Sequence, residues 1–309
     1  MALSNLAQNL IGTLQDIFGK FATVRSLTLP PAHAKGVFVT GSFTPTEAAK
    51  ELSTAPHFSH PTFVIARLSL FTGIPDLLST DERATPHGLA VRFVLDPASR
   101  LGTDIICHAS KLFPGSDGEE VLAFFRSLRD GTVTEYASSH PAAAAFAQEH
   151  RPIPKSFAHN TFYSINAFKM INSEGKTAFI RYRWVPLAGQ QSLTQDELKT
   201  KSPNFLFEEL PQILSEGPMV FTLVAQVAEQ GDVTDDCTKI WPEDRPLIDL
   251  GTLKIARVME ANEADTCEKT IAFSPIPGVD GIEASEDPIL AARSAVYSRS
   301  SKSRHESEH

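Results

Sequence analysis

Eight runs of β-branched and aromatic residues, each with turn-forming residues nearby, constrain this chain more than any other feature. They fall at 35–41, 62–71, 88–95, 103–109, 161–170, 177–185, 218–228 and 250–258. Helical patterns interrupt them at 45–53 after Thr44, at 117–129, at 141–149 with its alanine run, and near 194–215. Strands in two runs with helices inserted, rather than strict alternation, predict an α+β fold with an antiparallel sheet. Eight antiparallel strands can close into a barrel, which removes exposed edges. No linker or internal repeat divides the chain, so one main domain is expected.

The two ends are helical in pattern. Leu3, Leu6, Leu10, Leu14, Ile17, Phe18 and Phe21 recur at helical spacing, giving an amphipathic helix within residues 1–24. Such a helix packs on its own domain or on a second subunit, as in a homodimer; its single lysine is too little basic charge for a membrane surface. Near the other end, Asp287 suits an N-cap and Pro288 the first helical position. Arg293 and Tyr297 then stand four residues apart on one face. A guanidinium beside a phenol favours the phenolate, a hard oxygen ligand suited to ferric iron. On spacing alone the pair reads more readily as packing than as a ligand. Beyond it lies a polar tail, residues 305–309.

Composition narrows the function classes. A net charge of −9 argues against nucleic acid as a partner, because phosphate binding needs a basic field. Three distant cysteines, Cys107, Cys237 and Cys267, exclude a disulfide framework and a thiolate zinc site. Phe numbers 20 against four Tyr and two Trp, which suits a dry pocket for a flat apolar ligand and equally any well-packed core. His57 and His60 have metal-compatible spacing but no evident third ligand, so a structural or surface role is expected. No run approaches the roughly 20 apolar residues of a membrane span. No secretory pattern opens the chain, and an intracellular place, cytoplasmic or organellar, is the expectation.

Five ordered blocks carry a family resemblance. Pro31-Ala-His-Ala-Lys-Gly36 resembles the distal-histidine segment of haem catalases. Ala66-Arg-Leu-Ser-Leu-Phe-Thr-Gly73 and Pro86-His-Gly-Leu-Ala-Val-Arg-Phe93 resemble the next two strands of their barrel. Asp104-Ile-Ile-Cys-His-Ala-Ser-Lys-Leu-Phe-Pro114 resembles the segment crossing the distal haem face, and 281–297 the helix that carries the proximal ligand. The likeness runs from about Arg25 to Arg304, a catalase-like haem-binding domain spanning 25–304. With its short length, the chain is most similar to the small catalase-related peroxidases of the haem catalase superfamily.

That resemblance implies a catalase-type eight-stranded antiparallel barrel with surrounding helices and a C-terminal haem-ligand helix. It implies haem b as cofactor, Tyr297 as axial iron ligand and Arg293 as its charge partner. His33 matches the distal acid–base histidine, and Ser69 the serine that fixes its tautomer. Arg67 and Arg304 match arginines that hold haem propionates. Phe113 is placed to stack on the distal haem face.

The departures are as informative. Where catalases place a distal asparagine, the chain has Ala109 with His108 just before it; His108 supplies a substitute hydrogen bond or is a buried structural residue. Pro30 stands where catalases have an arginine near the haem, and Asn166 where they have a histidine beside the proximal arginine. These changes weaken the expectation of efficient hydrogen peroxide disproportionation. The leading expectation is a haem peroxidase that reduces organic hydroperoxides or hydrogen peroxide with a small-molecule electron donor. The alternatives are a haem enzyme that rearranges a specific lipid or specialised-metabolite hydroperoxide, and a barrel that binds haem or lipid without turnover.

Overall fold

The computed structural model of the protein describes residues 2–20, 30–96, 98 and 101–306, the side chains at 101 and 303–306 excepted. Among these residues ten strands follow in order: β1 (Gly36–Pro45), β2 (Thr62–Ser69), β3 (Gly88–Asp96), β4 (Leu101–His108), β5 (Phe162–Tyr163), β6 (Phe168–Ile171), β7 (Thr177–Pro186), β8 (Met219–Val227), β9 (Leu247–Val258) and β10 (Ile282–Ala284). Every pairing is antiparallel, and the ring β1-β2-β3-β4-β5-β7-β8-β9 returns to β1. Eight strands therefore close the barrel, and β6 with β10 extends it beside β7. The run expected as one strand at 161–170 is two. Between them Ser164 Oγ donates to the carbonyl of Asn166 at 2.8 Å, and the chain leaves the ladder. Only β5 belongs to the barrel wall.

The barrel fills with aromatic rings. Phe43 meets Phe93 at 5.1 Å and Trp184 at 6.2 Å between ring centroids, both near perpendicular, and all three are fully buried. Edge-to-face packing of this kind answers the abundance of phenylalanine. His57 is buried between Phe58 and Phe93. Among the described residues no cluster of three or more His, Cys, Asp or Glu could hold a metal ion.

Among the described residues ten α-helices surround the barrel: α1 (Leu3–Phe18), α2 (Glu47–Leu52), α3 (Gly118–Asp130), α4 (Val133–Ser139), α5 (Pro141–Gln148), α6 (Gln195–Thr200), α7 (Phe205–Glu208), α8 (Leu210–Glu216), α9 (Ala261–Thr270) and α10 (Pro288–Glu306). The helical stretch near 194–215 is broken into three pieces, with Pro203 and Pro211 at the breaks. The amphipathic α1 packs against α3 and α10 of its own chain. It buries Leu6, Leu10, Leu14 and Phe18, each contributing roughly 1.5–3 kcal/mol of apolar burial. Phe21 and the expected boundary at residue 24 lie outside the described residues. Among the described residues no helix is long and apolar enough to cross a membrane.

Candidate active site

One mostly apolar cavity lies between the barrel wall and the helices α1, α3 and α10, and it collects His33, Arg67, Ser69, His108, Phe113, Arg293 and Tyr297. The five sequence blocks thus converge in space, although 264 positions separate the first of these residues from the last. Arg304 lies in the last turn of α10, and its side chain is outside the described residues.

The α10 side of the cavity is a connected chain of hydrogen bonds. Asp287 accepts from the backbone N–H of Ile289 at 2.9 Å, as expected of an N-cap. Its other oxygen accepts from the Asn166 amide at 2.8 Å. Asn166 Oδ1 in turn accepts from Arg293 Nη1 at 2.7 Å. Arg293 Nε and Nη2 both donate to the Tyr297 oxygen, at 3.3 and 3.2 Å. Asparagine serves here because it offers one acceptor to the arginine and one donor to the aspartate. Burial pushes the Asp287 carboxyl above its ordinary range, against the hydrogen bond from Asn166. The guanidinium thus arrives at the phenol already oriented.

The barrel side is built around a single residue. His33 has φ +57°, and it is the one non-glycine in the left-handed region among the described residues. A left-handed non-glycine costs about 1–2 kcal/mol and persists only when its surroundings hold it. They do so at four points. The His33 N–H donates to Phe71 O at 2.9 Å and the Ala34 N–H to Thr72 O at 3.0 Å. Arg67 Nη1 donates to His33 O at 2.8 Å and Nη2 to Ala34 O at 3.2 Å. The imidazole itself bonds through Nδ1 to Ser69 Oγ at 3.0 Å, which leaves Nε2 as its unengaged nitrogen. Gly88, opposite Ser69 on β3, gives this pair room. A Cβ there would stand 2.6 Å from Ser69 Oγ and 2.9 Å from His33 Nδ1.

Electrostatics keep His33 neutral. Burial, then the positive charges of Arg67 and Arg293, lower its pKa from 6.5 to about 3. The ring is neutral at physiological pH. His108, at the end of β4, is also lowered to about 3, by burial first and Arg293 second. Both its ring nitrogens are buried without a hydrogen-bond partner. The ring lies near-parallel to Phe113, with centroids 6.4 Å apart. Ala109 does not line this cavity and instead lines a neighbouring one. The position expected for an amide therefore offers none, and the adjacent imidazole enters the cavity in its place.

Sequence reasoning did not find three features of this site. Asp287 orients Asn166 as well as capping α10. Arg67 grips the backbone on either side of the His33–Ala34 bond. Glu268, on α9, lines the cavity and faces Arg67 Nε at 3.4 Å.

A closed antiparallel barrel, an arginine-bound tyrosine on a C-terminal helix and an oriented neutral histidine define a haem-dependent oxidoreductase of the kind that acts on peroxide. The comparisons place it more closely. The sequence model of the family described as Catalase matches residues 29–309, and the chain belongs to the catalase family. It is 32% identical over 281 residues to a catalase-related peroxidase of Mycolicibacterium paratuberculosis (strain ATCC BAA-968 / K-10), covering 88% of each chain. It is 33% identical over 283 residues to a catalase-related peroxidase of Synechococcus elongatus (strain ATCC 33912 / PCC 7942 / FACHB-805), covering 87% of this chain and 81% of the relative. Catalase A from Saccharomyces cerevisiae shares the fold, with a TM-score of 0.77 at 21% identity over 93% of this chain. This chain spans 62% of that structure's length.

The family implies a haem cofactor, and the residues present fit one. The cavity lining is mostly apolar, as a flat macrocycle requires. Tyr297 offers an oxygen donor, Arg67 a buried cation beside the cavity, and His108 two unspent ring nitrogens.

Proposed function

We propose that the protein is a haem b peroxidase that reduces organic hydroperoxides, and hydrogen peroxide, at the expense of small-molecule electron donors. Disproportionation of hydrogen peroxide is a minor activity. The observation that carries this reading is the distal pair: an oriented, neutral His33 beside His108, with no amide at Ala109.

Haem, when bound, supplies an iron at which a peroxide O–O bond can be broken. The remaining work belongs to side chains. When Nδ1–H of His33 donates to Ser69, the Nε2 lone pair is free to take a proton from the near oxygen of a peroxide. His33 then delivers that proton to the far oxygen, which leaves as water or an alcohol. Transfer of this kind contributes roughly 10² to 10⁴ in rate. His108 donates a hydrogen bond to the bound peroxide in place of the missing amide. Tyr297 would offer its oxygen to the iron, Arg293 donates to that oxygen, and Asn166 with Asp287 holds Arg293 in place. Phe113 would pack against the macrocycle, and Arg67 and Arg304 would pair with its carboxylates. Leu10, Leu14, Phe125, Val296 and Phe273 give the cavity an apolar lining, which favours an alkyl hydroperoxide over a small polar oxidant.

Steady-state turnover of cumene hydroperoxide and hydrogen peroxide, each with a phenolic donor, tests the reading. Donor-dependent consumption of both is expected, with little oxygen released. Rapid oxygen release with no consumption of the organic peroxide would overturn it. A lipid hydroperoxide converted to a rearranged product without donor oxidation would replace it with the isomerase alternative.

A further inference from the structure

Arg67 brings a guanidinium into a largely buried place, and burial lowers its pKa against the pull of Glu268. Gly36 makes the space, since a Cβ there would lie 2.6 Å from the guanidinium carbon. Two of its nitrogens are committed to the carbonyls of His33 and Ala34. The third, Nε, has no hydrogen-bond acceptor and faces Glu268 Oε2 at 3.4 Å, within ion-pair reach but not aligned as a hydrogen bond. Glu268 sits near the end of α9 and lines the same cavity. A carboxylate of the chain therefore stands at the edge of Arg67 that a carboxylate entering from the cavity would use.

The surroundings let that carboxylate move. The Glu268 side chain is 27% exposed, so water can take over its solvation. The segment just beyond α9 is fixed independently. Arg92 Nη2 donates to Ala272 O at 2.7 Å, and the Ser274 N–H donates to Asp104 Oδ2 at 2.7 Å. The side chain can swing outward without α9 leaving the barrel.

We propose that Glu268 is a placeholder for a haem propionate: it neutralises Arg67 in the haem-free protein and yields that edge when haem binds. The inference rests on the reading of the cavity as a haem site with Arg67 as a propionate partner. Haem uptake is then an exchange of carboxylates on one buried guanidinium. Glu268 lowers haem affinity while it supports the arginine that holds His33.

The test is spectrophotometric titration of haem-free wild type, E268Q and E268A with haem and with haem dimethyl ester, which lacks both carboxylates. Both substitutions fall on a partly exposed helical position, and circular dichroism checks that each haem-free variant is folded. Both are expected to bind haem roughly tenfold more tightly than wild type. Binding of the dimethyl ester should be the same in all three proteins. The haem-free variants should also melt at lower temperature, because Arg67 loses its counter-charge. Haem affinity unchanged or weakened in the folded variants overturns the inference, and so does an equal gain for the dimethyl ester. A wild type that develops no Soret band overturns the cavity reading and the inference together; normal uptake in wild type with no change in the variants overturns the inference alone.

Discussion

Around Tyr297 each polar group is bonded to the next, from Asp287 through Asn166 and Arg293 to the phenol, whereas around His33 the backbone is strained and His108 has two unpartnered nitrogens. The first arrangement needs no ligand to complete it. It fixes the phenol oxygen by a relay that starts at a helix cap, so local helix formation and placement of the phenol are one event. The second is left incomplete by the protein itself. A neutral imidazole has one donor and one acceptor, and burying both unspent costs about 1–3 kcal/mol. Groups that must meet a transient substrate cannot also be saturated by the protein.

The contrast can be broken from either end. Replacing Tyr297 with Phe removes the oxygen donor and should abolish peroxidase turnover, with loss of the ferric tyrosinate spectrum; retention of that spectrum would remove Tyr297 as ligand. His33→Gln should cut peroxide consumption by roughly 10² to 10⁴ while leaving haem content intact. Gly88→Ala pushes a methyl group against both Ser69 and His33, and a loss of roughly 10- to 100-fold is expected with the same haem spectrum.

The stability of the haem-free protein separates the two regions by sign. Asn166→Leu strands Arg293 and Asp287, and thermal melting should show destabilisation of about 3 kcal/mol or more. His108→Phe removes unsatisfied nitrogens and keeps a ring against Phe113, so melting should rise by about 1–3 kcal/mol. A fall instead would mean that His108 has a partner.

Acid should unfold the haem-free protein steeply. His33, His57 and His108 are lowered to about 3 and His87 to about 4, all chiefly by burial, from an unfolded value of 6.5. Between those limits the unfolded chain binds protons that the folded chain refuses. Stability is therefore complete above about pH 6.5 and is lost as pH falls toward 4, by about 1.4 kcal/mol per pH unit for each histidine. The raised carboxyls of Asp104 and Asp287 act in the opposite sense and soften the slope. Denaturant midpoints at several pH values measure it.

The barrel was readable because its strands carry their own signal: β-branched and aromatic runs with turn residues between them. The α1 stripe was readable for the same reason. By contrast α9, with Glu263, Asp265, Glu268 and Lys269, buries only Cys267 and has no apolar stripe to read. The site residues were legible through their ordered blocks, since a histidine or a tyrosine alone has no distinguishing neighbourhood. Arg67 shows the limit. Its block marks an arginine two residues before a serine, but its grip on the backbone depends on the left-handed turn at His33, which no residue pattern in Pro31-Ala-His-Ala announces. Glu268 lies 201 positions from Arg67, and charge at that separation carries no sequence signal.

The left-handed conformation of His33 also says something about how residue 33 is constrained. Glycine would adopt that turn without steric penalty, and asparagine nearly so, whereas histidine carries a penalty of about 1–2 kcal/mol. Pressure for a stable fold and pressure for an imidazole in the cavity therefore pull this position in opposite directions. A lineage that gave up the chemistry but kept the barrel would be expected to lose this histidine early, and to gain thermal tolerance as it did so.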